Sequence, residues 1–325
     1  MKHLRFLMVV VCTLCVVLLA QQHAAGQSPP DDGTTLLLLL EPGADMGRVE
    51  SMLQEVNSTV VKRTTIKNTG HQILRVQTDP GKLADMENHL RAYGDPNISA
   101  VERNHIAHFE GTLERETEYE TEHETEHETG CPPNDPFFSE QWALPDLHFP
   151  TADVVDALAW CIDHQRERRG PGPINVSINI DPPFTYNSSP FIQALAKALR
   201  AQGDLFVQGA GNSGLEDPTP EQFIRRVAAT DEHDQLASFS VFGPFQVAAP
   251  GVDILTFGGN NAVAFLSGTS LSTAYWSGPI AFLMSLCPKL TAPAADAILF
   301  NTATVTKQGY HIPNLEAARD RGDSD

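Results

Sequence analysis

Between residues 237 and 278 the chain reads ASFSVFGPFQVAAPGVDILT, a short loop, and then SGTSLSTAYWSG. A stretch rich in glycine and proline stops abruptly at Gly268-Thr269-Ser270, and an apolar run over 281–286 follows. Glycine before a hydroxyl residue at a helix start lets the backbone turn sharply. The first turn then offers unsatisfied N–H groups and the positive end of the helix dipole. Such a place suits a serine nucleophile, because negative charge developing beside it is stabilised. The same pattern also serves as an ordinary helix N-cap, so Ser270 needs a second block to define it.

That block is DLFVQGAGNSG at 204–214, an apolar strand ending in a glycine-rich turn with Asn212 at its tip. A third, VAATDEHDQLASFS, lies between them at 227–240. In this order the three resemble the subtilisin-like serine proteases, whose nucleophile motif usually reads GTSMATPHVAG, and the resemblance runs over 204–304. It implies an α/β domain built on a parallel sheet and serine endopeptidase activity on protein or peptide substrates. Ser270 would attack the scissile carbonyl, and Asn212 would donate a side-chain N–H to the oxyanion. An extended substrate would pair against the strand predicted over 174–180, at Val176, Ser177 and Ile178. The resemblance places that strand inside the sheet, which argues against glycosylation of the Asn175 sequon. Leu271, Ser272, Ala274, Tyr275 and Trp276 stand where the family has Met, Ala, Pro, His and Val. The two aromatics are expected to need repacking under the helix.

Upstream, residues 1–26 read as a secretory signal. Lys2, His3 and Arg5 precede an apolar stretch over 6–20, and Ala24-Ala25-Gly26 offers small residues for cleavage. The stretch falls short of the ~20 residues of a membrane span, so a secreted chain with no membrane partner is expected. Cys12 and Cys15 leave with the signal. Cys131, Cys161 and Cys287 remain and allow at most one disulfide within the chain; buried thiols are the preferred reading. A net charge of −19 argues against a nucleic-acid partner.

Within 27–110, periodicity predicts strands over 35–40, 58–66, 72–77 and 100–109. Helices carry Met46, Val49 and Leu53, then Leu83, Met86 and Leu90. The order βαββαβ is ferredoxin-like α+β. Before subtilisin-like blocks, such a unit resembles that family's propeptide-inhibitor domain, whose C-terminal end occupies the active-site cleft. Asn57 and Asn97 head glycan sequons. Residues 111–130 repeat Glu-Thr-Glu-His and read as a solvated, disordered or weakly helical linker. Its His123-Glu124-Thr125-Glu126-His127 matches a zinc-protease pattern, but no apolar face is present to bury the required helix. It is therefore read as no metal site.

The peptidase region is assigned to 131–325. NDPFFSEQWAL at 134–144 resembles the start of a mature subtilisin-like domain, and Asp135 stands where some relatives bind calcium, with further ligands expected downstream. No other cofactor is implied. The family's next two motifs, DTG with the catalytic aspartate and HGTHVAG with the catalytic histidine, do not occur. Instead Thr151-Ala152 runs straight into an amphipathic helix with apolar residues at 154, 155, 158, 161 and 162. Several dozen residues and about half of the parallel sheet are thus expected to be missing near Ala152, leaving a truncated subtilisin-like domain. His148, His164 and His233, with Asp146, Asp153 or Asp231, are the candidate replacements; His164 and His233 read as solvated surface histidines, and none of the set is assigned the role. Arg321-Gly322-Asp323 reads as a charged terminus. Two functional readings stay open: a secreted serine endopeptidase zymogen by ancestry, or an inactive pseudoprotease whose propeptide domain inhibits related proteases. A third possibility is a chain from which a coding segment was lost at that junction.

Overall fold

The structure, a computed structural model, describes residues 31–322 apart from 68, 109–111, 118–147, 166–169, 179, 181–184 and 258–262. The expected signal, His123, His127, Cys131, Asp135, Asp146 and Asp323 lie outside the described residues.

Five consecutive leucines organise the N-terminal unit. Strand β1 (Asp31–Leu40) pairs antiparallel with β3 (Gln72–Gln77) on one side and with β4 (Ile98–His108) on the other; β2 (Thr59–Thr65) completes the order β2-β3-β1-β4. Side chains alternate across a strand. Leu36, Leu38 and Leu40 therefore pack with Val49 and Leu53 of helix α1 (Met46–Glu55) and with Met86 and Leu90 of α2 (Leu83–Tyr93). Asp45 caps α1 by accepting from the Arg48 N–H, and Gly94 ends α2 in the left-handed region at φ 60°. The ferredoxin-like arrangement follows.

Leu37 and Leu39, with Ile66 and Ile73, point to the opposite face. There they join a core with Val155, Leu158 and Ile162 of α3 (Thr151–Asp163) and Ile192, Leu195 and Leu199 of α4 (Pro190–Ala201). The two units thus share one apolar core. At its rim Asp156 accepts from Lys62 Nζ at 2.7 Å, Thr64 Oγ1 at 3.0 Å and Arg75 Nη2 at 3.0 Å. Asp156→Ala is expected to remove about 1–3 kcal/mol from this interface, read as a lower urea midpoint with an unchanged slope.

The C-terminal unit is built on a four-stranded parallel sheet, β10-β9-β8-β7, made of β7 (Pro173–Val176), β8 (Leu205–Gly209), β9 (Ile224–Thr230) and β10 (Ala248–Pro250). One face meets α3 and α4 through Phe206 and Ile224. The other meets α5 (Thr269–Leu286) and α6 (Ala292–Thr302) through Leu205, Val207, Val227 and Val247. Helices on both faces make this an α/β layered sheet. The strand expected over 174–180 is four residues long, and among the described residues it forms the sheet edge rather than its interior. Pro173, which cannot donate to a ladder, begins it. The outward side of α5 leaves Tyr275, Phe282 and Leu286 exposed.

Two short strands cross between the units. β6 (His148–Pro150) extends the N-terminal sheet beside β4, although it belongs to the C-terminal part of the sequence. β5 (Thr112–Thr117) pairs antiparallel with β12 (Val263–Ser267), itself paired with β11 (Ile254–Phe257). This corrects the reading of the acidic segment: Thr112–Thr117 form a strand. Their backbone groups complete a hairpin edge, a source of order that low hydrophobicity does not reveal.

Candidate active site

Strand β8 ends in a turn that passes against the start of α5. A Cβ on Gly209 would lie 2.9 Å from Thr269 Oγ1 and 3.2 Å from the Thr269 backbone, so only glycine allows this approach. Thr269 Oγ1 accepts from the Gly211 N–H at 3.1 Å, and the Thr269 N–H donates to Asn212 Oδ1 at 2.9 Å. Gly268, the N-cap of α5, supplies no side chain, and Asn212 fills that role from across the turn. Thr269, the middle residue of the Gly-Thr-Ser string, thereby ties the two sequence blocks together.

Ser270 is buried, 8% exposed, on the first turn of α5. Its Oγ donates to the Ser177 carbonyl at 3.0 Å, and Ser177 Oγ donates back to the Ser270 carbonyl at 3.1 Å. Asn175 accepts from Ser277 Oγ at 3.1 Å and donates to Ser177 Oγ at 2.9 Å. The end of β7 is thereby fastened along α5. The structure brings together Ser270, Asn212 and Ser177, with Val176 adjoining on β7; Ile178 follows without regular structure. Opposite them, a Cβ on Gly251 would fall 2.2 Å from Ser272 Oγ and 2.9 Å from the Gly268 carbonyl. Gly251→Ala is expected to displace the helix start and cost about 1–3 kcal/mol, seen as a lower thermal midpoint.

Among the described residues no hydrogen bond joins Ser270 Oγ to a histidine or carboxylate; its partner is a backbone carbonyl. His164 ends α3, stacked on Trp160 with centroids 4.6 Å apart. His233 is exposed in a turn where Asp231 accepts from the His233 and Gln235 N–H groups. Asp153 pairs with Arg75 at 2.9 Å. Each of these is engaged elsewhere. Among the described residues no group of His, Cys, Asp or Glu is placed to hold a metal, and no helix is long and apolar enough to cross a membrane.

Of the two substituted aromatics, Tyr275 stays at the surface, whereas Trp276 is fully buried and donates from Nε1 to Asp296 Oδ1 at 2.8 Å. Asp296 also receives the Arg225 guanidinium, from Nη2 at 2.7 Å and Nε at 3.0 Å. Repacking under the helix is therefore achieved by a charged pair on the neighbouring helix and strand.

A parallel sheet flanked by helices, with Ser270 on the first turn of α5 beside the Asn212 turn, makes this an α/β protein. The subtilase family model matches residues 147–319, just over half of the chain, and the chain belongs to that family. Subtilisin-like protease 9 of Arthroderma gypseum is 28% identical over 173 residues, covering 49% of this chain and 42% of that protein. The thermostable alkaline protease of Halalkalibacterium halodurans is 34% identical over 158 residues, covering 47% and 41%. The chain spans about two-fifths of the length of these curated relatives. Among solved structures, the patellamide maturation protease PatA aligns with a TM-score of 0.48 and 21% identity over 56% of this chain and 72% of that one.

Proposed function

We propose that this chain descends from a secreted subtilisin-like serine endopeptidase zymogen and retains the peptide-binding and oxyanion half of its site without the proton-accepting half. In this reading Ser270 is the nucleophile and Asn212 the oxyanion donor. Val176, Ser177 and Ile178 form the edge on which an extended protein or peptide substrate aligns, its N–H groups meeting carbonyls such as that of Ser177. The observation that carries the reading is the hydrogen bond of Ser270 Oγ to the Ser177 carbonyl. A carbonyl oxygen accepts a hydrogen bond but cannot take the proton a serine must lose to attack. The 31–108 unit is then the propeptide-type inhibitor domain, held against α3 and α4.

The test is a fluorophosphonate probe applied to the full chain, with Ser270→Ala as control. Absence of Ser270 labelling is the expected outcome; stoichiometric labelling would show that a base reaches the hydroxyl. A second reading, inhibition of related proteases in trans, rests on the ferredoxin-like first unit, whose second face packs on helices α3 and α4 of the family-matched region in this chain. It predicts that the full chain slows an active subtilisin-like protease in a competition assay.

A further inference from the structure

Strand β4 touches the N-termini of both helices that receive the first unit. α3 begins after Pro150, which gives no side-chain cap. Asn104 of β4 supplies one by accepting from the Ala152 N–H at 2.9 Å, and the His105 carbonyl accepts from Thr151 Oγ1 at 3.0 Å. α4 is capped by Ser189, whose Oγ accepts from the Ile192 N–H and donates to Glu102 Oε2 of β4 at 2.8 Å. Glu102 lies directly opposite Leu37 in the sheet and so shares its face toward α3 and α4. Beside it lies Tyr186, fully buried, with a hydroxyl that has no hydrogen-bond partner among the described residues. A half-buried carboxyl thus stands at an apolar junction with one hydroxyl donor and an unpartnered phenol.

The charged groups around it do not neutralise it. Arg75, in the row beyond Leu37, is occupied by Asp153 and Asp156 of α3. Arg91 of α2 acts from the other side of the sheet and pairs with Glu87 at 3.0 Å. Arg103, the next residue of β4, also pairs with Glu87, at 2.7 Å. His105 sits further along the same strand.

We propose that Glu102 is a proton-controlled latch between the two units: protonated, it fits the junction with α4, and on ionisation it loosens that junction. Burial pushes its carboxyl up to about 7, while the Ser189 hydroxyl and the more distant Arg91 pull the other way, as does the N-terminal end of α4. In the undocked chain the carboxyl returns to its ordinary 4.5. The docked form therefore holds its proton more tightly. Docking is strongest below pH 4.5, weakens as pH rises from 4.5 to about 7 and is flat above that. Each unit of difference is tenfold in the docking equilibrium, so the loss is on the order of a hundredfold. The latch stands on the packing of the two units. Under the inhibitor reading of the first unit, it also sets the pH at which that unit lets go.

The Ala152 amide, bonded across the junction to Asn104, reports docking directly. Hydrogen exchange of this amide in the full chain, corrected for its intrinsic pH dependence, is to be compared with that in Glu102→Gln. The wild-type protection should fall by about a hundredfold between pH 4.5 and 7.5 relative to the variant. Parallel profiles would overturn the proposal and leave His105 or the Asp153–Arg75–Asp156 cluster as the source of any shared slope. If the variant does not fold, a carbon-13 titration of the Glu102 carboxyl decides. A midpoint near 7 supports the latch; one in the ordinary carboxylate range overturns it. Both readouts are independent of peptidase activity, so silence at Ser270 leaves them unaffected.

Discussion

Given an extended fluorogenic peptide, the chain should turn it over no faster than its Ser270→Ala variant, to within about tenfold, and far below the ~1–10³ s⁻¹ of working enzymes. The reason lies in what Ser270 Oγ touches. It donates to the Ser177 carbonyl at 3.0 Å, whereas a serine nucleophile needs an imidazole to take its proton and a carboxylate to orient that imidazole. In subtilisin, the namesake of this family, loss of the histidine lowers turnover by roughly 10⁶, about as much as loss of the whole triad. An oxyanion site alone supplies only ~10³–10⁴ over water. Ser270-dependent turnover above about 1 s⁻¹ would sink the incomplete-site reading and require a base from residues outside those described. Asn212→Ala, which removes the acceptor of the Thr269 N–H, should then be no slower than Ser270→Ala.

Trp276→Ala should destabilise the C-terminal unit by about 3–5 kcal/mol, the range for removing a buried aromatic. Trp276 is fully buried among Ile280, Leu283 and Leu299, between the helix that carries Ser270 and the neighbouring α6. The indole also donates to Asp296, which is 3% exposed and holds Arg225. Trp276→Phe separates the two contributions: most of the packing is kept, the N–H is lost, and a cost of about 1–3 kcal/mol is expected. Guanidinium unfolding followed in both variants gives the comparison. Equal midpoints for wild type and Trp276→Ala would mean that α5 does not need this side chain to stay on the sheet.

Much of the first unit was legible because its pattern is strong and local. Met46, Val49 and Leu53 mark one helix face, Leu83, Met86 and Leu90 another, and the 72–77 strand has the expected bounds. Strand boundaries drifted where pairing rather than composition sets them; β1 begins at Asp31 because Asp31 finds His105 across the sheet. The second block was legible at Ser270 and Asn212 because short motifs report backbone geometry as well as chemistry. The strand expected over 174–180 is shorter, Pro173–Val176, and among the described residues it lies at the sheet edge. Its residues are β-prone, but edge or centre is decided by which neighbour exists to pair with it.

By itself the sequence determined the order of elements in the first unit, the membership in a protease family and the short blocks around Asn212 and Ser270. All three depend on residues close together in the chain. Only the tertiary structure decided what covers the second face of β1, since a run of leucines demands burial on both sides without naming the partner. It likewise decided that Glu116 and Arg115 take part in a strand, that Trp276 answers to Asp296, and that Glu102 lies in the junction of two units. These are long-range pairings, 20 to more than 140 residues apart along the chain. Their energies come from desolvation and hydrogen-bond geometry that arise only once the chain has closed on itself.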